Sequence, residues 1–520
     1  MGNLARNVER RGRRYLGPMS RPTRSLRPSA VVASGLLLAM ALPACTDDPD
    51  QARDAERAAT STSTVAPTTT VAPAPGRAGA SDIGDPLTPG AGNGGLDVDT
   101  YDLELTRPGT GPDITAELTI AAHATQDLSR FDLDLHGLEV DAVTVDGATA
   151  TSVRFADELV ITPAGPISNG AAFTTVVRYH GTPSTFDDNP ELLNLGWTTA
   201  GRDTFVLSEP RGGFTFMPSN DHPSDKAVFN FTITAPSSLT VLANGVGTRL
   251  RESDGMTTWR FVQPQPMATY LVQIAIGEFD PETSVGPHSL PIRSGFDRDL
   301  PAPERAPLRR IGDIVAFFEP LIGTYPFDVA GVLVADAPTG FSLETQTLII
   351  MPLNYFVGSK SIDPSEATVI LAHELAHQWF GDAVTPGTWS DIWLNEGFAT
   401  YLEWLWQDHD GVRTLARQIE RSSPLAKELR KGYGAVLSPK ADQIFSLNQY
   451  DGAGIVLHAL RSEIGDSTFF DLLRDWVAIH RYGNVTTAQF EELATRKAGR
   501  DLSRFFTNWL ASTDLPPLPG

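Results

Sequence analysis

A chain of 520 residues with 63 acidic against 41 basic side chains carries a formal charge of −22. That balance disfavours nucleic acid and anionic lipid surfaces as partners. A single cysteine, Cys45, excludes disulfides within the chain, and the length is enough for more than one domain.

Residues 1–45 read as a leader rather than part of the fold. Eight arginines and one glutamate precede Cys45, and the apolar run from Ala30 to Ala44 is too short to span a bilayer. The run ends in Leu42-Pro-Ala-Cys45, which resembles a bacterial lipobox. The expectation is an exported protein, anchored to the outer face of a bacterial cell membrane by lipid on Cys45. Residues 46–95 are rich in Ala, Thr, Pro, Ser, Gly and Asp, with a low-complexity run from Thr60 to Pro73. Such a stretch buries too little apolar surface to offset its ordering entropy, so it reads as a disordered tether.

From residue 96 to 280 the dominant period is two. Ile114-x-Ala-x-Leu-x-Ile120 and Phe131-x-Leu-x-Leu135 alternate, and Val143-x-Val145 runs into Asp146-Gly147, a tight hairpin signal. Asn244-Gly245, after Leu239-Thr-Val-Leu, predicts a second hairpin. The segment is expected to form an antiparallel β domain. After Pro281 helical periods take over and run to residue 520, with short strands near Val332–Ala335 and Thr347–Ile350. The fold class is therefore α+β and multidomain, a β domain followed by a mainly helical one.

The helical part carries His373-Glu374-Leu-Ala-His377 and, after 18 intervening residues, Glu396. Asp363-Pro-Ser-Glu366 marks a helix start before the motif, and Gly381 marks a stop after it. Histidines four apart share a helix face and can hold one metal ion. A second helix, from about Asp391 to Asp408, presents Glu396 as a third ligand. Two histidines and one carboxylate leave a fourth position open, the mark of a catalytic zinc site. Glu374, turned about 100° from His373, is placed to take a proton from a water held there.

Five ordered blocks resemble the zinc aminopeptidases of the aminopeptidase N and leukotriene hydrolase type. They are Ser208-Glu209-Pro with Asn220-Asp-His-Pro, Gly340-Phe-Ser-Leu-Glu344-Thr, the two zinc blocks, and Tyr450-Asp-Gly-Ala-Gly. The resemblance runs from about residue 97 to the C-terminus. It implies one Zn2+ per chain on His373, His377 and Glu396, with Glu374 as base and Tyr450 as the oxyanion's hydrogen-bond donor. It also implies that Glu344 and Glu209 bind the free amino terminus of a peptide. A thermolysin-like catalytic domain should span residues 281–520, beside a saddle-like β domain. The form expected is a short one, without the family's long helical C-terminal domain.

Two departures stand out. Phe341 replaces the small residue that opens the glutamate block, and Thr345 replaces the asparagine after Glu344. Both should lie along the substrate backbone. Alternative readings remain a zinc hydrolase with a different or additional substrate, epoxide or internal peptide bond, and an inactive peptide-binding lipoprotein. Outside the motif the histidines are expected to be structural. His222 should stabilise a turn and His458 should sit satisfied in a helical core.

Overall fold

A computed structural model of the protein describes residues 76–187 and 194–518. The leader, Cys45 and the Thr60–Pro73 run lie outside the described residues. Among the described residues no helix is long and apolar enough to cross a membrane.

The period-two segment forms the β domain. Its largest sheet has eight strands and includes Leu96–Thr106, Ile114–Ala124, Ala172–Gly181 and Lys226–Pro236. Ile114–Ala124 buries every second side chain, as its pattern predicts. Asp146 and Gly147 both take positive φ, 50° and 77°, and close the expected two-residue turn between Val145 and Ala148. Pairing is antiparallel except where Lys226–Pro236 runs parallel to Leu96–Thr106. A five-stranded sheet ends its strand Asp203–Leu207 just before Ser208 and Glu209, which places the latter at the domain's edge.

Three expectations are corrected. Asn244-Gly245 is not a hairpin, because Thr240–Ala243 and Val246–Ser253 belong to different sheets. The Asn244 side chain instead ties three segments, donating to Leu271 O and Gln346 O and accepting from Gln273 N. The helical period does not begin at Pro281. A hairpin of Phe279–Val285 and Pro291–Asp297 comes first and joins Val332–Ala335 and Ile349–Pro352 in a four-stranded sheet.

The tether assigned to 46–95 is also ordered over its last part. Arg77–Ala78 pairs with the strand Leu128–Asp134, and Gly94 N donates to Ala80 O. Asp85 is buried, accepting from Trp389 N at 2.8 Å and lying 3.1 Å from His222 Nε2. His222 therefore stabilises more than a turn. It fixes a strap that reaches from the β domain to the helical part. The alternation at Phe131–Leu135 does not expose its polar face either, since Asp132 and Asp134 are buried. Asp134 accepts from Gly92 N and Asn93 Nδ2 of that strap.

The helical part is built from α1 (Ile311–Ile322), α2 (Pro364–His377), α3 (Trp393–His409), α4 (Leu415–Tyr433), α5 (Ala453–Ile464), α6 (Asp466–His480) and α7 (Thr487–Ala498). Asp363 caps α2 by accepting from Ser365 N at 2.9 Å, with Pro364 in the first turn. From Ala367 to His377 every residue of α2 is buried, and α3 is buried from Trp393 to Gln407. These two form the centre of an apolar cluster with α1, α5 and α6. Gly397, next to Glu396, is what lets α3 meet the start of α5. A Cβ there would come 2.6 Å from Ala453 Cβ.

Candidate active site

The two imidazoles of α2 and the carboxylate of α3 converge on one point. His373 Nε2 and His377 Nε2 are 3.1 Å apart, and each is 3.4 Å from Glu396 Oε2. A tetrahedral zinc with bonds of about 2.0–2.1 Å sets its ligands roughly 3.3–3.4 Å apart. The triangle has that size.

The outer faces of the rings fix their chemistry. His373 Nδ1 lies 3.2 Å from Glu403 Oε2, and His377 Nδ1 lies 3.1 Å from Phe380 O. Both partners are acceptors, so each Nδ1 carries the proton and each Nε2 presents a lone pair. Two lone pairs and a carboxylate facing one another need a cation between them. The donor set fits zinc. Glu403 in turn accepts from Gln407 Nε2 at 2.7 Å, which holds it in place.

Around this centre the structure gathers the other predicted residues. Glu209, Phe341, Glu344, Glu374, Phe445 and Tyr450 line one small cavity with the three ligands. Carboxylate oxygens of Glu344 and Glu374 and a ring nitrogen of His377 all lie within 4.8 Å of one another. Glu344 sits in the loop before Ile349–Pro352, where Leu343 and Ile350 exchange backbone hydrogen bonds of 2.9 Å. Gln378, the residue after the motif, donates to Glu344 O at 2.8 Å and accepts from Thr347 N at 2.9 Å. That side chain locks the glutamate loop onto the end of α2. Tyr450 lies on a π-helical turn, Asn448–Gly452, ahead of α5, with its ring stacked on His373 at 5.9 Å.

Burial and crowding of like charges set the protonation. Burial pushes the Glu374 carboxyl up to about 8, against the pull of His373 and His377. Burial and the neighbouring Glu344, Glu396 and Glu374 lift Glu209 well above the carboxylate range. Glu344 is raised mainly by burial. At Glu396 burial acts upward too, but the two histidines, in their protonated form, outweigh it and hold the group at about 2. Burial and the same carboxylates keep the Tyr450 hydroxyl protonated, as a donor must be. A cavity with this many buried carboxylates is a receptor for cations.

One expectation about the departures is corrected. Thr345 is fully buried and turned away from the cavity, its hydroxyl donating to Leu348 O within its own loop. Only Phe341 reaches the cavity wall. Glu403 was not anticipated. It lies seven residues after Glu396, two turns along the same helix face, and that spacing was the available signal. Cys45 lies outside the described residues.

The fold and the metal triangle define a two-domain protein of the HExxH metal-site class. Its catalytic region matches the Peptidase family M1 domain over residues 313–509, and residues 98–271 match the Peptidase M1 N-terminal domain. A solved M1 zinc metallopeptidase from Deinococcus radiodurans is 31% identical, with a TM-score of 0.76 over 84% of this chain and 99% of that one. A two-domain M1 zinc metallopeptidase bound to L-arginine superposes with a TM-score of 0.77, at 31% identity over 84% of this chain and 99% of its own. The chain belongs to the M1 peptidase family. Among curated relatives, Aminopeptidase 2 of Candida albicans is 23% identical over 80% of this chain and 47% of its own length. Aminopeptidase N of Rattus norvegicus is 30% identical over 52% of this chain and 30% of its own length. The chain spans about half the length of the first of these curated relatives.

Proposed function

We propose that the protein is a zinc-dependent aminopeptidase that releases N-terminal residues from peptides. The observation that carries this reading is the placement of Glu344 and Glu209 in the same cavity as the metal ligands and Glu374. His373, His377 and Glu396 would hold the ion, which supplies Lewis-acid chemistry when bound. Glu374 takes the proton of the attacking water and returns it to the leaving amine. Tyr450 donates to the tetrahedral oxyanion, a contact typically worth about 2.7–4 kcal/mol when lost. Glu344 and Glu209 accept from the peptide's ammonium, which sets the first residue at a fixed distance from the metal. The aminopeptidase names of the curated relatives support the substrate class. Glu344→Ala and Glu209→Ala should each lower kcat/KM on free-amine peptides by at least tenfold. Unchanged kcat/KM in both would overturn the role given to these carboxylates.

The same reading places the enzyme outside the cell, held to the bacterial membrane by lipid on Cys45. Its support is Leu42-Pro-Ala-Cys45 at the end of the apolar run. Residues up to about 75 would connect that anchor to the strap at Arg77.

A further inference from the structure

We infer that Arg413 is a positioning residue for the reaction, the centre of a hydrogen-bonded chain that sets His373 at the metal and Tyr450 at the oxyanion together. The inference rests on the roles given above to the metal ligands and to the Tyr450 hydroxyl.

The chain can be followed link by link from the metal ligand. Glu403 Oε2 lies 3.2 Å from His373 Nδ1, and Glu403 Oε1 accepts from Gln407 Nε2 at 2.7 Å. Gln407 Oε1 accepts from Arg413 Nη1 at 3.2 Å, and the same nitrogen donates to Gln418 Oε1 at 2.6 Å. Gln418 Nε2 donates to Ser422 Oγ at 3.0 Å, and Ser422 Oγ donates to Asp451 Oδ1 at 2.8 Å. Asp451 follows Tyr450 directly in the π-helical turn. Glu403, Gln407, Gln418, Ser422 and Asp451 are all buried. Neither they nor Arg413 line the cavity that holds the metal position. They reach the reaction only through His373 and Tyr450.

Arg413 gives the chain its direction. A guanidinium only donates, so the amides of Gln407 and Gln418 both turn their oxygens toward it. Their nitrogens then point away, one to Glu403 and the other to Ser422. Ser422 receives that bond and has its own proton left for Asp451. A buried carboxylate stands at each end and a cation between them. Without the guanidinium either amide can flip, and each carboxylate loses a donor held in place. The arginine is itself set by the short loop between α3 and α4, where Val412 N and Arg413 N donate to Gln407 O at 2.9 and 3.2 Å.

The tyrosine end is docked on both sides. Asn448 Nδ2 donates to Gly434 O at 3.2 Å, and Gln449 Nε2 donates to Val436 O at 3.1 Å. With Asp451 held by Ser422, the turn is tied to α4 and the loop after it before and after Tyr450. That hydroxyl must meet an oxyanion within hydrogen-bond length, and a misplacement of about 1 Å can cost about a hundredfold in rate.

The test is a set of double-mutant cycles on the full chain, read as zinc Kd and as kcat/KM on free leucyl amide at saturating zinc. Gln407→Leu should raise the zinc Kd several-fold. Ser422→Ala should leave the zinc Kd unchanged and lower kcat/KM by about tenfold. Arg413→Met should do both. In the Tyr450→Phe background the kcat/KM losses from Ser422→Ala and Arg413→Met should vanish, because no hydroxyl is left to misplace. In the Glu403→Gln background the rise in zinc Kd from Arg413→Met should shrink likewise. Losses of equal size with and without the Tyr450 hydroxyl would be those of scaffolding alone and overturn the inference. So would an Arg413→Met protein changed in only one readout or in neither. If Arg413→Met fails to fold, Gln407→Leu and Ser422→Ala decide the two ends in the same cycles. An unchanged kcat/KM in Tyr450→Phe itself would instead overturn the role given to that hydroxyl, and this inference with it.

Discussion

Glu403 stands behind His373, its Oε2 3.2 Å from Nδ1 of the ring whose Nε2 faces the metal position. The carboxylate sets the tautomer, orients the ring and raises its basicity as a ligand. Glu403→Gln should weaken zinc binding by about 10–100-fold while leaving the fold intact. Competition with a chromophoric chelator measures this directly, and an unchanged zinc Kd would remove Glu403 from the metal centre.

Glu374 contributes no atom to the metal triangle, so its two possible losses separate. Glu374→Gln should retain one zinc per chain and lose turnover by several orders of magnitude. Elemental analysis beside a single-turnover assay reads both. A variant that turns over at the unaltered rate would show that another group takes the proton.

Asp85 ties the strap to the rest of the molecule. Burial pushes its carboxyl up, but bonds from His222, Leu87 N and Trp389 N outweigh it and hold the group below its usual range. A depressed carboxyl contributes stability that is fully present above the unfolded value of about 3.9. That stability is lost as pH falls through the lower folded value. Asp85→Asn should cost about 1–3 kcal/mol near pH 6, leaving buried partners poorly matched. The difference in melting temperature from the unaltered protein should narrow below pH 4. A constant difference from pH 3 to 7 would show that the Asp85 charge carries none of the effect.

Cys45→Ser should block lipid modification and processing of the leader together, because one thiol is both the acylation site and the new N-terminus. Radiolabelled fatty acid and the size of the mature chain report on each. Cleavage after Ala44 with label still incorporated would contradict the lipobox reading.

The zinc residues were legible because their signals are local. A helix start at Asp363, histidines four apart and a glutamate on the following helix are all written within 34 residues, and the structure assembles them as spaced. Glu344, Glu209 and Tyr450 come from distant segments. Periodicity alone could not gather them, and ordered block resemblance did.

What was misread depends on tertiary partners. Residues 76–95 have the composition of a linker, yet their order comes from backbone bonds to Asp127 O and Arg130 O, from the Asp134 side chain that accepts from Gly92 N, and from the Asp85 carboxylate. Asn244-Gly245 has the local chemistry of a hairpin. Which sheet each flanking strand joins is decided by neighbours far along the chain. Thr345 was placed by analogy with a residue of different shape, and its hydroxyl found a carbonyl within its own loop instead.

The most direct test of the account is the ratio of kcat/KM on matched peptides with free and acetylated amino termini, measured on the zinc-loaded full chain. Two buried carboxylates that compensate the desolvation of an ammonium leave nothing for a neutral, bulkier acetamide to gain. Acetylation should lower kcat/KM by several orders of magnitude, and Glu344→Ala should reduce that ratio by weakening the free-amine arm alone. Comparable rates on the two substrates would contradict the account, and would show an enzyme that cuts internal bonds with Glu344 and Glu209 as bystanders.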